Sequence, residues 1–172
     1  MAVILGIDPG SRKTGFGVLQ MEGGKARYLT SGIIKLPTES PLPVRLGVLF
    51  DSLAQIIDEF QPVEASVEQV FMARSADSAL KLGQARGAAV VACVTRGLSV
   101  YEYSARQIKQ AVVGTGAADK TQVQHMVKTL LALPAAPKED AADALAAALC
   151  HAHGKNLRHQ SGSKRFGAGR LR

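Results

Sequence analysis

Four carboxylates stand where predicted strands end or predicted helices begin. Asp8 ends the first apolar strand, Glu68 lies in a later strand, and Asp140 and Asp143 open the last predicted helix. A spacing of three residues places Asp140 and Asp143 on one helix face. A carboxylate at the end of a near-continuous apolar strand is costly to leave without a partner, and a metal ion is one such partner. The four acids are therefore candidate metal ligands.

Oxygen ligands of this kind favour Mg²⁺ or Mn²⁺ over zinc, and the sequence contains no competing cluster of Cys and His. In two-metal phosphoryl transfer, ions about 3.5 to 4 Å apart activate the attacking water and stabilise the leaving 3′ oxygen. The acids together predict a Mg²⁺-dependent enzyme of this type, with two ions per site and Mn²⁺ as a substitute. Taken singly, Asp8 also fits an Asp-Pro-Gly turn and Asp140 a helix cap.

The elements that must position these acids are five strands and five helices. The apolar pattern and the turn signals predict strands at Ala2–Asp8, Gly15–Gln20, Ala26–Leu36, Ala65–Val70 and Ser99–Tyr103. The first three form an antiparallel meander, and helices separate the later strands. This order predicts an α/β fold with a mixed five-stranded sheet and helices on both faces.

Helical spacing of apolar residues predicts a first helix between Pro43 and Pro62. A second helix begins after Ser75, stops at Gly97 and is expected to pack closely through Gly83 and Gly87. Its predicted apolar stripe consists of Leu80, Gly83, Gly87, Val90, Val91 and Val94. The remaining helices are predicted at Ala105–Val113, Asp119–Leu131 and Lys138–His153.

The chain of 172 residues fits one domain, and its charge is unevenly distributed. We expect a nuclease domain over residues 1–153, followed by a basic, flexible tail over residues 154–172 that holds six Lys and Arg and no acid. The body then holds fifteen basic against fourteen acidic residues. If metal ions neutralise four acids, the body becomes clearly basic, so the metal and nucleic-acid hypotheses support each other.

The remaining features suggest a cytoplasmic protein without a membrane span. The apolar run Ala2–Ile7 lacks the basic flank and the length of a signal peptide, and no run approaches the roughly 18 apolar residues of a membrane helix. Cys93 and Cys150 are expected to be buried thiols. His151 and His153 cannot share a helix face, so we expect surface residues rather than a metal pair.

Three segments resemble the RuvC family of Holliday junction resolvases. They are GIDPGSRKTGFGV at Gly6–Val18, EQVFMARSADSALKLGQARG at Glu68–Gly87 and DAADALAAAL at Asp140–Leu149, and the likeness extends over nearly the whole chain. The resemblance implies an RNase H-like fold and an endodeoxyribonuclease that resolves four-way junctions by symmetric paired nicks, in recombination and repair. It also implies that the catalytic and magnesium-binding residues are Asp8, Glu68, Asp140 and Asp143.

The same resemblance implies partners: junction DNA, a second copy of the chain, and the RuvA and RuvB branch-migration proteins. A two-fold dimer suits a substrate on which two strands are cut. Its interface is expected on either the first long helix or the helix of Gly83 and Gly87.

DNA contacts are expected at Phe71, which the resemblance assigns to opening of base pairs, and at Lys109 and Lys120, which it places at phosphates. Core packing for Phe71 and solvated surface positions for the lysines are the structural alternatives. Basic residues that border the acidic motifs are further phosphate candidates: Arg12, Lys13, Arg74, Lys81 and Arg86.

Three other functions are compatible with parts of the sequence. The segment GIDPGS also resembles the first phosphate loop of sugar kinases and actin-like ATPases, but the chain is too short for two lobes and lacks a second such loop. A DNA-binding protein without catalysis would not need the acids. An RNase H-like nuclease that acts on RNA is the remaining alternative, and the block Glu68–Gly87 argues against it.

Overall fold

A computed structural model describes residues 1–70 and 74–162, with side chains as far as Lys155. The strands are β1 Ala2–Asp8, β2 Lys13–Glu22, β3 Lys25–Lys35, β4 Glu64–Gln69 and β5 Ser99–Ser104. They form one mixed sheet in the order β3-β2-β1-β4-β5, in which β1, β2 and β3 are antiparallel neighbours and β4 and β5 run parallel to β1. This confirms the predicted mixed five-stranded sheet.

The helices are α1 Leu42–Phe60, α2 Ala76–Val94, α3 Ala105–Val113, α4 Lys120–Leu130 and α5 Glu139–Gly162. Three of them begin at a capping side chain. Ser75 caps α2, and Ser104 and Asp119 form capping boxes at the starts of α3 and α4, so their side chains satisfy free backbone N–H groups. Gly114 ends α3 at a φ of +89°, a left-handed conformation that glycine adopts without strain.

Side chains alternate between the two faces of the sheet along each strand, so the core is divided into two layers. In β1, Ile4 packs with α3, α4 and α5, whereas Leu5 and Ile7 pack on the opposite face with α1 and α2. Both layers are clusters of buried apolar side chains. The prediction of helices on both faces is therefore confirmed.

Helix α5 lies unusually close to the sheet because glycines face it. A Cβ atom on Gly6 would lie 1.9 Å from the carbonyl oxygen of Ala144, and one on Gly15 would lie 1.9 Å from that of Asp140. At Gly17 the added atom would lie 2.5 Å from Cδ2 of Leu145. The absence of side chains at these strand positions is what allows the α5 backbone to rest on β1 and β2.

Hydrogen bonds set the register of α5 along β4. The buried Ser66 hydroxyl donates to the carbonyl oxygen of Ala147 at 2.7 Å, and His151 Nε2 lies 3.0 Å from Glu64 Oε2. Residues 147 and 151 are one helical turn apart, and residues 66 and 64 share one strand face.

The prediction of a surface position for His151 was wrong. Its side chain is 2% exposed, contacts Tyr103 Oη through Nδ1 and stacks on Tyr101.

Most of the predicted apolar stripe of α2 faces away from the core, and of its members only Val90 packs against it. The buried residues of α2 are Ala85, Ala89, Ala92 and Cys93. Leu80, Val91 and Val94 of the stripe are 69%, 51% and 56% exposed, and a Cβ atom at Gly83 or Gly87 would meet nothing within 4 Å. The expectation of close packing at these glycines within the chain was therefore wrong, because small alanines form the buried face instead.

Helix α5 continues nine residues past its predicted end at His153. Lys155, which the sequence assigned to the basic tail, instead pairs with Glu64 at 2.5 Å. The division of the chain at residue 153 stays a prediction, and residues 163–172 lie outside the described part. No helix within the described part is both long and apolar enough to cross a membrane.

The glycine contacts predict the effect of adding one methyl group. Gly15→Ala should lower the free energy of unfolding by about 1 to 3 kcal/mol, because the methyl group meets a backbone oxygen that cannot move independently. Gly47→Ala is the control. Gly47 lies in α1 and its added Cβ would meet no other atom within 4 Å, so this substitution should stabilise the protein by up to about 1 kcal/mol. Urea denaturation measures both, and a Gly15→Ala protein as stable as the wild type would contradict the close docking of α5.

Candidate active site

Two of the four acids come from neighbouring parallel strands. Ile7 of β1 pairs with Val67 of β4, and Asp8 and Glu68 directly follow this pair. Side chains alternate along a strand, so Asp8 shares a face with Ile4, and Glu68 shares one with Ser66. Ile4 and Ser66 both contact the layer of α5. Asp8 and Glu68 therefore lie side by side under α5.

The other two acids come from the first turns of α5. Residues 143, 147 and 151 recur every four positions, so the register set at Ala147 and His151 brings Asp143 to the level of Glu68. Asp140 is held by the contact of its backbone with Gly15. All four predicted acids line one cleft of about 270 Å³, together with Ala105, Ile108, Lys109, Lys120, Val123 and Glu139.

Burial and mutual repulsion disfavour the charged forms of these acids. Burial, followed by the charges of Glu68, Asp143 and Asp140, raises the pKa of Asp8 to about 8. Burial and the charge of Asp143 raise the pKa of Glu68 to about 7. Burial also raises the pKa of Asp143 to about 6, against the opposing effect of Lys120. The cleft thus concentrates negative charge beyond what its own lysines neutralise.

Two predicted DNA-contacting lysines lie on this cleft. Lys109 projects from α3, and its charge lowers the pKa of Glu68 and Asp143 against the larger effect of burial. Lys120 is the first residue of α4 and forms an ion pair with Glu139, which raises the pKa of the lysine. Glu139 is a fifth acid of the cleft that sequence reasoning did not identify, because a glutamate beside a helix start resembles an ordinary surface residue.

Lys13 is a third lysine at the cleft edge, and it contacts one of the acids directly. Its Nζ lies 2.6 Å from Oδ2 of Asp140, and the Asp140 side chain is only 18% exposed. The hydrogen bond to Asp140 raises the pKa of Lys13. From the sequence, Lys13 was only one of several phosphate candidates, because nothing in the local pattern relates a strand start to a residue at a helix start 127 positions later.

The donor set of the cleft fits a hard divalent cation. Its acidic ligands are carboxylates, neither Cys nor His lines it, and the raised pKa values indicate that added positive charge would be favoured there. As the side chains stand, no three Asp, Glu, His or Cys residues of the described chain are arranged to ligate one ion together. The cleft thus fits the ion in the chemistry of its donor groups, although its side chains are not arranged around one ion in this structure.

Two further predicted DNA contacts, Arg74 and Lys81, do not line this cleft. Arg74 is an exposed residue before α2, and Lys81 lies on α2, where it pairs with Asp77 at 2.7 Å. Phe71 lies outside the described residues. The structure thus brings Lys109 and Lys120 to the acids and leaves Arg74 and Lys81 outside the cleft.

Comparison with known proteins finds one family to which this chain is similar. Residues 4–151 match the family model described as crossover junction endodeoxyribonuclease RuvC. Proteins of that name from Saccharophagus degradans and Marinobacter nauticus are 59% and 63% identical to the chain. The first alignment covers 99% of both chains, and the second covers 89% of this chain and 87% of the relative.

Among solved structures, Thermus thermophilus RuvC in complex with Holliday junction substrate superposes with a TM-score of 0.86 at 37% identity. The match covers 92% of this chain and 97% of that one. The similarity confirms the RNase H-like fold that the sequence predicted.

The raised pKa of Asp8 predicts a pH-dependent effect of removing its charge. Because its pKa in the fold is about 8 against an ordinary 3.8, the wild type loses stability as the pH rises through this interval, whereas an asparagine does not titrate. In a buffer with a metal chelator, Asp8→Asn should melt on the order of 5 °C above the wild type at pH 8 and close to it at pH 4. Calorimetry at both pH values tests this, and an equal difference at pH 4 and pH 8 would contradict the account.

Proposed function

Because the chain belongs to the RuvC family of crossover junction endodeoxyribonucleases, we propose that it resolves four-way DNA junctions by hydrolysing phosphodiester bonds in the acidic cleft. The observation that carries this proposal is the convergence of Asp8, Glu68, Asp140 and Asp143 on one cleft from three separate elements. The reaction belongs to DNA recombination and repair, and chromosomal DNA as the substrate supports a cytoplasmic location.

The four carboxylates are the proposed ligands of two Mg²⁺ ions, with Mn²⁺ as a substitute. Bound there, the cations would activate the attacking water and stabilise the leaving 3′ oxygen. The partial burial of Asp8 and Glu68 strengthens electrostatic interactions in the cleft. Cations bind the deprotonated carboxylates, so the affinity of the cleft for a cation should increase as the pH rises.

Lysines around the cleft support binding of an anionic backbone. Lys109 and Lys120 lie on its lining, where a phosphate could reach both the ammonium groups and the carboxylates. Lys120 would exchange its pairing with Glu139 for a phosphate. Phe71 is proposed to stack on an opened base, and Arg74 and Lys81 are proposed to contact phosphates farther from the cut.

We further propose a homodimer that forms through the exposed stripe of α2. Leu80, Gly83, Gly87, Val91 and Val94 recur at intervals of three and four residues, which is the spacing of a helix–helix seam. The apolar members are more than half exposed, and the glycines leave room for close approach. A two-fold pair of chains would supply one cleft for each of the two strands to be cut. RuvA and RuvB are the proposed partners during branch migration.

The direct test of the proposed function is cleavage of a synthetic junction. With Mg²⁺, the protein should nick a four-way junction symmetrically in two strands and leave a linear duplex of the same sequence, and an RNA–DNA hybrid, largely intact. Denaturing gels measure all three substrates. Equal cutting of junction and duplex, or preference for the hybrid, would contradict the assignment.

Removal of a single carboxylate should separate binding from chemistry. Asp8→Asn should lower the cleavage rate at least about 1,000-fold, because it removes a metal ligand without adding bulk, yet junction binding should persist. Single-turnover cleavage and gel-shift titration measure the two properties. Asp51→Asn is the control. Asp51 is an exposed acid on α1, so this variant should cleave the junction like the wild type. Persistent cleavage by Asp8→Asn would remove Asp8 from the mechanism.

The dimer proposal predicts the outcome of placing a charge on the α2 stripe. Val91→Glu should convert a dimer to a folded monomer, because a carboxylate is costly to bury at an apolar seam. Val44→Glu on α1 is the matched control, since Val44 and Val91 are both 51% exposed. Sedimentation velocity measures the oligomeric state. A Val91→Glu protein that stays dimeric would exclude this stripe as the interface.

A further inference from the structure

The contact between Lys13 and Asp140 differs from the other ion pairs at the cleft. Lys120 pairs with Glu139, which lies on the rim, whereas Lys13 pairs with one of the four acids proposed to bind the cation. The Lys13 Nζ lies 2.6 Å from Asp140 Oδ2, so it occupies an oxygen that the cation would need. The ammonium group of Lys13 thus occupies the position beside Asp140 that a bound cation would take.

The backbone that carries Lys13 is firmly held. The buried Thr14 Oγ1 accepts from the Gly10 N–H at 3.1 Å and donates to the Gly10 carbonyl oxygen at 3.2 Å, which closes the turn between β1 and β2. Arg45 Nη1 donates to the carbonyl oxygen of Ser11 at 3.2 Å. These bonds fix the start of β2, so Lys13 reaches Asp140 from a defined position rather than from a flexible loop.

The Lys13 side chain, by contrast, is free to leave. It is 58% exposed, and an ammonium group on a flexible stem regains hydration when it turns away from its partner. A divalent cation carries twice the charge of the lysine and would be attracted by all four carboxylates. The cation should therefore displace Lys13 from Asp140, but this requires a higher cation concentration than binding would require if the lysine were absent.

We propose that Lys13 is a positioning residue that holds the Asp140 carboxylate until a divalent cation displaces it, and so sets the cation concentration at which the site fills. This inference rests on the proposed function, because it takes the four acids as the cation site. The exchange breaks one ion pair, between Lys13 and Asp140, and forms a bond from Asp140 to the cation.

The experiment is calorimetric titration of Mn²⁺ into the full-length, DNA-free protein. Lys13→Met should bind Mn²⁺ about three- to tenfold more tightly than the wild type, because it removes the competing charge but keeps most of the stem. Lys13→Arg, which keeps the charge, should stay near the wild type. Lys35→Met is the matched control, since Lys35 lies opposite Lys13 on β3, and it should change the affinity less than about twofold.

A second set of variants tests whether the effect passes through Asp140. In an Asp140→Asn background, the additional Lys13→Met change should leave Mn²⁺ affinity unaltered, since the ion pair is already absent. In the wild type, the NMR signals of the Lys13 side chain should shift on addition of Mg²⁺, and they should not shift in Asp140→Asn.

The outcomes separate this inference from the proposed function. A wild type that binds Mn²⁺ and a Lys13→Met protein with equal or weaker affinity would overturn the role of Lys13 alone. An equal gain in Lys35→Met would also overturn it, because general surface charge would then explain the effect. A wild type that binds no Mn²⁺ would overturn both, and failure to cleave the junction despite binding Mn²⁺ would count against the proposed function only.

Discussion

Helix α5 packs against the sheet at backbone distance, and the positions of the catalytic candidates follow from this packing. Gly6, Gly15 and Gly17 remove the side chains that would hold the helix away, and the hydrogen bond from Ser66 to Ala147 fixes its register on β4. The same contacts bring the first turns of α5 to the ends of β1 and β4. The acidic cleft is therefore a consequence of how a helix packs on a sheet.

This arrangement sets stability against function. Desolvated carboxylates from three elements repel one another, and the raised pKa values of Asp8, Glu68 and Asp143 express that cost. The fold bears the cost because two apolar layers, one on each face of the sheet, hold the elements in place. A bound cation would turn the same repulsion into attraction, and Lys13 and Lys120 supply part of that positive charge already.

Much of this organisation could be predicted from the sequence, because it depends on local patterns. Alternation and turn signals located the strands to within about two residues, and the spacing of Asp140 and Asp143 placed both at the start of one helix. Contacts between distant segments could not be predicted in this way. The buried position of His151 and the pairing of Lys13 with Asp140 depend on the register of α5 against the sheet, which no local pattern encodes.

Orientation was a further limit of the sequence pattern. Leu80, Val91 and Val94 have helical spacing and therefore share one helix face. Periodicity does not show which surface such a face contacts, and in the structure the alanines of α2 pack on the core instead. We propose that the carboxylates brought together by the docking of α5 form one cation site. Anomalous diffraction from crystals soaked in Mn²⁺ should then show peaks ligated by Asp8, Glu68, Asp140 and Asp143. Peaks confined to other surfaces of the protein would mean that the cleft is not the cation site.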